Sequence, residues 1–375
     1  MRVFSTIGLL PMSLVLLLGS STPVQANKTC GPSVPLPMRL VHQFSKPTYL
    51  QCLHIRANGD MLLGTVFPNA SIYYLTGAST DNPTVSTIHT FAGIPSTDVI
   101  NGVTGIVETE PDVFAFTGGI QQSLGLQRNG TWGVWQLDLR PTRNNNNNTN
   151  NNTSAPIIQE LVHIPDSGLL SAVVALPKTP TVVLVADTSL GQVLRVDTVT
   201  RRWEVAVRDW ASMHYPPWAS LQFGVNGLAL RGGYLYWTNS FVAALYRIRM
   251  TDDGYPAPGA VVEDVATVRS LFVDGLVFGP GERDTLWAAT NADNRVLAIG
   301  EDGEYTTVAG APDEMTMAGA VAPRFGTLPG DEHTLYVSTS GGVVLPVNGT
   351  EFEGGKVVAV DTRPFFHPNN ECGGL

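Results

Sequence analysis

Two stretches far apart in the chain read almost alike: GQVLRVDT at residues 191–198 and GKVVAVDT at 355–362. A second repeat accompanies them, because Asn101-Gly102-Val103, Asn226-Gly227-Leu228 and Asp274-Gly275-Leu276 each open a short apolar run. Units this small cannot bury their own faces, so such a chain folds as an array in which each unit packs on its neighbours. Aligning the apolar starts adds Gln51-Cys52-Leu53, Ser171-Ala172-Val173 and Ala318-Gly319-Ala320, which makes six units. Their period is near 50 residues, except for the 70 between Asn101 and Ser171. That long spacing holds the Asn-rich run over 144–152, which is too polar to join a core. It reads as a disordered loop over 141–155 inserted into one unit.

Each unit is rich in short strands. Unit four offers Leu228–Leu230, Tyr234–Thr238 and Ala244–Ile248, with 260–264 as an outer strand. Unit five repeats this with Leu276–Phe278, Thr285–Ala289, Asn294–Ile299 and Tyr305–Val308. Short strands between Gly, Pro, Asn and Asp turns exclude a helical fold. Four strands in about 50 residues is the period of a propeller blade. The expected fold is all-β: a six-bladed β-propeller with four-stranded antiparallel blades, forming one domain over residues 27–375 with blades over about 38–362.

Residues 1–26 have the form of a secretory signal peptide. Arg2 supplies the basic end, residues 7–18 are almost wholly apolar, and Val24-Gln25-Ala26 suits signal peptidase. No second long apolar run follows, so after cleavage the chain is expected to be soluble, away from membranes, in the secretory pathway or outside the cell. Sequons at Asn27, Asn69, Asn129, Asn147, Asn151, Asn152 and Asn348 agree with that route, and Asn69, Asn129 and Asn348 carry most weight because they fall in expected loops. Of the three cysteines, Cys30 and Cys372 lie near the termini that a propeller brings together, and they are the favoured disulfide. Cys52 starts an inner strand and reads as a buried apolar thiol. A net charge of −10 with no Lys/Arg cluster excludes nucleic acid as a partner.

In a propeller the inner strands line the axis, so the residues that open them crowd one mouth of the channel. These are Gln51, Asn101, Ser171, Asn226, Asp274 and Ala318, with Thr65, Thr117, Asp187, Asn239, Asn291 and Ser340 as a second tier. Together they suggest a polar floor under a ligand pocket, although Asn-Gly and Asp-Gly also serve plain turns. Above it, the segment over 210–223 carries Trp210, His214, Tyr215, Trp218 and Phe223 and leads into unit four, so it should cross the same face. Trp237, on the second strand of unit four, is a further candidate for the ligand wall. No nucleophile motif, zinc-binding helix motif or paired histidine is present.

The run from Asn226 through Asn239, with Leu245–Ile248, resembles the six-bladed propellers of the gluconolactonase and senescence-marker type. That resemblance implies an axial divalent metal, usually calcium, held by Glu, Asn and Asp. Asn226 and Asp274 match two of these positions, but Gln51 replaces the Glu and Ser171 replaces a further Asn. Without the Glu half the formal ligand charge is gone, so no tightly bound metal is expected. A closer resemblance runs over roughly residues 38–362 and includes TLYVSTSGG at 334–342 and GGKVVAVD at 354–361. It is to a fungal secreted branch that includes hetero-Diels–Alderases of tropolone–sesquiterpenoid (meroterpenoid) biosynthesis. It implies a cycloaddition without cofactor, in which a tropolone o-quinone methide adds across an alkene of a humulene-type sesquiterpene. Asn226, Asn239, Asn101 and Asn291 are then candidate donors to the quinone methide carbonyl, and Asp274 a candidate to orient an amide. Gln51, Ser171, Asp187, His214, Tyr215, Trp218, Phe223 and Trp237 are candidates to bind substrate. A metal-dependent lactonase or esterase, and a secreted propeller that binds a ligand without catalysis, remain as alternatives.

Overall fold

The computed structural model describes residues 34–94, 96, 99–140, 155–281 and 284–366. Six four-stranded antiparallel sheets follow one another around an axis, so the protein is a six-bladed propeller. The inner strands are Tyr49–Ile55, Gly102–Glu110, Leu170–Ala175, Val225–Arg231, Val273–Phe278 and Ala320–Phe325. The second strands, such as Val182–Asp187 and Leu286–Thr290, are buried along their whole length. A strand covered on both faces by neighbouring blades reads as a continuous apolar run. Outer strands such as Thr84–Gly93 show the alternating exposure of an edge.

The ring closes through the first described strand. Met38–Gln43 is the outer strand of blade six, where Met38 pairs with Val360 and Gln43 with Lys356. Blade six is therefore built from both ends of the chain, which ties its closure to the fold of the whole. Six apolar clusters fill the six blade interfaces, one each. Trp132, Trp237 and Trp287 are among the largest fully buried side chains in them.

Every inner strand slips register at the same height, for example between Leu50 and Cys52, Val103 and Gly105, Val225 and Leu228, and Val273 and Leu276. A bulge re-aims the residue that it contains. Here the bulged residues are Gln51, Thr104, Ser171, Asn226, Asp274 and Val321. The next residue is small because the blades meet backbone to backbone. A Cβ on Gly105 would lie 2.5 Å from the Ser171 carbonyl oxygen, and one on Gly227 would lie 2.7 Å from that of Asp274. Second-strand hydroxyls staple the same junctions: Thr117 donates to the Ser171 carbonyl at 2.9 Å and Thr238 to the Asp274 carbonyl at 2.8 Å.

Several boundaries differ from the sequence reading, and the inner strands of blades four and five begin three residues earlier, at Val225 and Val273. Blades two and six present Thr104 and Val321 at the bulge, three residues after the expected Asn101 and Ala318. The outer strand of blade four is Glu263–Thr267, not 260–264, because Ala257–Ala260 forms a turn first. Asn69 is exposed but opens the strand Asn69–Thr76 rather than sitting in a loop, whereas Asn129 and Asn348 lie in exposed turns. The Asn-rich insertion joins Gly133–Asp138 to Ile157–His163 in blade two. The expected signal peptide, Cys30, Cys372, Asn27, Asn147, Asn151 and Asn152 lie outside the described residues. Among the described residues no helix is long and apolar enough to cross a membrane.

Candidate functional site

At the face where the inner strands begin, the axis opens into a cavity of about 310 Å³. Its floor is the ring of bulged polar residues Gln51, Thr104, Ser171, Asn226 and Asp274, joined by Tyr49, Gln121 and Asn291. Blade six contributes Val321 to the ring, so one side of the ring is apolar.

The floor is a connected network. Ser171 Oγ donates to Asn226 Oδ1 through a short hydrogen bond. Asn226 Nδ2 donates to Ser240 Oγ and to Asp274 Oδ1, both at 3.0 Å. Asn291 Nδ2 reaches the other carboxyl oxygen of Asp274 at 3.1 Å and Tyr49 Oη at 2.9 Å. Asp274 thus accepts an amide hydrogen on each oxygen, and among the described residues no cation forms an ion pair with it. Burial pushes its pKa up to about 7, against the pull of the two amides. Burial also raises the Tyr49 phenol, and the charge of Asp274 adds to the rise, so Tyr49 stays neutral. No Lys or Arg is among the lining residues. The floor therefore suits a neutral ligand rather than a phosphate or carboxylate. Among the described residues the Gln51 side-chain amide has no protein partner, which leaves its hydrogens for a ligand.

The wall is apolar and comes from loops. The segment before blade four supplies Leu221 and Phe223, the turn at 240–243 supplies Phe241, and the link to blade five supplies Leu271 and Phe272. Phe223, Phe272 and Phe241 form a chain of edge-to-face contacts, at 5.6 Å between the first pair and 5.2 Å between the second. From the other side a small hairpin of blade two, Gln121–Ser123 with Leu126–Gln127, brings Leu124 over the cavity. Gln127 Nε2 bonds Gln222 Oε1 at 2.8 Å, which ties hairpin and loop into one rim. Gly125 sits at φ +76 with its α-carbon against Leu221, where a Cβ would lie 3.0 Å from Leu221 Cδ1.

The structure brings Gln51, Ser171, Asn226, Asp274, Asn291 and Phe223 of the sequence candidates together at this cavity. The others lie elsewhere. Asn101 is buried in a reciprocal clasp with the backbone of Gln121, at 2.9 and 2.6 Å, and Thr104 takes the axial place. Asp187 caps backbone N–H groups of Gly168 and Leu190. Asn239 holds the carbonyls of Ser212 and His214. Trp237 is core and donates its indole N–H to the Ser212 carbonyl. His214 stacks between Trp210 and Tyr215, and none of the three lines the cavity. Trp218 is 70% exposed, makes an edge contact with Phe241 and does not line the cavity. Sequence reasoning missed Tyr49, Thr104, Phe241 and Phe272. Thr104 had a signal, because Thr104-Gly105-Ile106 repeats the pattern of Asn226-Gly227-Leu228. The two Phe residues had none, because they stand in loops outside the repeat.

A calcium-type metal does not fit this floor. Such an ion takes about six to eight oxygen ligands and binds more weakly as charged ligands are lost. Here one carboxyl is present, both of its oxygens already accept amide hydrogens, and Asn226 Oδ1 is taken by Ser171. The described residues contain no group of three or more His, Cys, Asp or Glu placed to hold a metal.

No protein-family model matches the chain. Two curated relatives are provisionally named as hetero-Diels-Alderases. One from Sarocladium schorii is 28% identical over 356 residues, covering 88% of this chain and 85% of its own. Another from a Phoma species is 27% identical over 337 residues, covering 85% of this chain and 90% of its own. The chain is thus similar to hetero-Diels-Alderases along most of its length. Among solved structures, a luciferin-regenerating enzyme superposes with a TM-score of 0.57 at 14% identity, over 87% of this chain and 95% of its own. Regucalcin from Agrobacterium tumefaciens, named as calcium-binding, gives 0.56 at 12% identity over 87% and 94%. A structure assigned to gluconolactonase gives 0.52 at 14% over 88% and 93%. At such identities these three establish a shared fold and nothing of function.

Proposed function

We propose that the axial cavity is the active site of a pericyclase of the hetero-Diels–Alder class. The observation that carries this reading is its division into a polar floor without Lys or Arg and a continuous aromatic and aliphatic wall, with no nucleophile–base pair among the lining residues. The similarity to proteins named hetero-Diels-Alderases supports it. In such a reaction an oxygen-bearing diene and an alkene close a dihydropyran ring. One C–C and one C–O bond form, and no group leaves, so no nucleophile is needed. What the protein supplies is orientation of two partners and donors to the oxygen that gains charge in the transition state.

Each part of the site has a place in that scheme. The unpartnered amide of Gln51 donates to the diene oxygen. Below its pKa Asp274 carries a proton and is a second donor, positioned by Asn226 and Asn291. The wall of Phe223, Phe241 and Phe272 holds the hydrocarbon partner and keeps out water, which quenches a quinone methide. The specific pairing we propose is a tropolone o-quinone methide with a humulene-type alkene. The secretory route belongs to the same reading. It rests on the apolar segment over 7–18 and on the exposed sequons at Asn69, Asn129 and Asn348.

The test is incubation of purified protein with a quinone methide precursor and a humulene alcohol. Single-enantiomer dihydropyran, formed faster than in buffer and unaffected by chelator, supports the proposal. Racemic product at the buffer rate overturns it. Hydrolysis of lactones that stops with chelator would establish the lactonase reading instead. A mobility shift with endoglycosidase on the secreted protein checks the route.

A further inference from the structure

The polar ring has a gap. Blades one to five present Gln51, Thr104, Ser171, Asn226 and Asp274 to the cavity, whereas blade six has Val321 at its bulge. The two blades that flank the gap meet across it. Tyr49 opens the inner strand of blade one, and its phenol oxygen accepts a hydrogen bond at 2.9 Å from Nδ2 of Asn291, which follows the second strand of blade five.

The setting of Asn291 fixes the direction of that bond. Its Nδ2 carries two hydrogens, one for Tyr49 Oη and one for Asp274 Oδ2. Its Oδ1 accepts from Ser340 Oγ at 3.4 Å. The reversed amide would set a carbonyl oxygen against the Asp274 carboxyl. Tyr49 Oη is therefore an acceptor here, and among the described residues no acceptor takes its own hydrogen. The residue is 8% exposed and lines the cavity. A hydroxyl hydrogen buried without a partner is costly, so a ligand in the cavity is what satisfies it. Burial and the charge of Asp274 both hold the proton on the phenol. Unlike the Asp274 carboxyl, this donor does not titrate near neutral pH.

We infer that Tyr49 is a catalytic residue whose phenol O–H donates to the diene oxygen alongside Gln51. The inference rests on the cycloaddition proposed above. Tyr49 and Gln51 stand two residues apart on one strand and line one cavity, so a single blade supplies both donors. Above the pKa of Asp274, where that carboxyl no longer donates, these two remain.

Tyr49→Phe tests this, because it removes the hydroxyl and keeps the ring. The rate at saturation should fall by about 10- to 100-fold, with a smaller rise in KM of about two- to tenfold. Fluorotyrosine at position 49 is a more acidic phenol and a stronger donor, so it should hold or raise the rate. A wild-type rate in Tyr49→Phe overturns the inference, as does fluorotyrosine protein as slow as Tyr49→Phe. If Tyr49→Phe does not fold, the fluorotyrosine protein decides: a rate below wild type overturns the inference. Tropolone itself, which carries the carbonyl without the reactive methide, reads the donor without turnover. Wild-type protein should bind it about two- to tenfold more tightly than Tyr49→Phe does. Catalysed cycloaddition in wild-type protein, with rate and tropolone binding unchanged in Tyr49→Phe, overturns the role of Tyr49 alone. Tropolone binding that depends on Tyr49 in a protein without cycloaddition overturns the reaction, and the catalytic role with it.

Discussion

The floor and the wall of the cavity are made in different ways. The floor comes from one position repeated around the ring, set by a bulge in each inner strand and fixed by backbone contacts between blades. The wall comes from loops of unequal length that share no pattern with one another. The floor is therefore rigid and polar by construction, and the wall is free to take the shape of its ligand. Under the proposed reaction the floor sets rate and the wall sets which partner is accepted. Four variants test that division, and they are expected to separate in size.

The largest effect is expected from Gln51→Leu. Gln51 offers the floor's unpartnered amide. Loss of one oriented donor to a developing oxyanion costs about 10²–10³ in rate. Single-turnover kinetics should show that fall in the chemical step with little change in substrate binding. The reaction should not stop, because a reactive quinone methide adds on its own, and enantiomeric excess should drop as this background shows. If Gln51→Leu changes binding alone, the floor is not where charge is stabilised.

Phe272→Ala comes next. Phe272 joins Phe223 to Phe241, so its loss opens the wall at its centre. Removing a large aromatic contact from a binding surface costs on the order of 1–2 kcal/mol, or about tenfold in kcat/KM. The loss should appear in KM and in the choice among alkenes, whereas the rate at saturation should hold. A variant that instead loses kcat at unchanged KM would merge wall and floor into one function.

Asp274→Asn tests the floor through pH. The folded carboxyl has a pKa of about 7, above its ordinary 3.8. The folded state thus holds this proton to higher pH than the unfolded state. Stability from this group is fully present below about pH 4, declines as pH rises toward 7, and is lost above it. In wild-type protein, turnover should fall as pH rises through 7, because the ionised carboxyl no longer donates. The amide of Asp274→Asn does not titrate, so its Tm and its rate should be flat over that range. An unchanged pH profile in the variant would remove Asp274 from the chemistry.

The same contrast explains what the sequence disclosed. Repeats announce themselves, so six blades, four strands each, and the floor positions Gln51, Ser171, Asn226 and Asp274 could be read from spacing. The two misplaced blades each contain a decoy. Asn101-Gly102 and Ala318-Gly319 imitate the repeat three residues before the true bulge: Asn101 clasps the backbone of Gln121, and Ala318 closes a turn on Met315. The second-strand threonines would have settled blade two, since Thr117 and Thr238 make the same bond to the next blade. The closing strand Met38–Gln43 was hidden because its partner Lys356–Asp361 lies at the other end of the chain. Phe241 and Phe272 were hidden because a loop residue's direction depends on packing rather than on period.

Trp218→Ala should have the smallest effect, and it is the sharpest check on reading function from composition. Trp218 stands in the most aromatic segment of the chain and is a sequence candidate for substrate binding. Yet it is 70% exposed, and its ring meets the wall at Phe241, at 6.1 Å between ring centres. A ring that buries so little of itself contributes little to stability, and one edge contact is worth about 0.5–1 kcal/mol. Its loss should loosen Phe241 and raise KM by no more than about fivefold, with kcat and Tm almost unchanged. Competition between two alkenes of different bulk is the measurement to make, since a loosened Phe241 should favour the larger. A loss as large as that of Phe272→Ala would mean that the 214–224 loop closes over the ligand, bringing Trp218 into the cavity. The wall would then extend beyond the residues that line it in the free protein.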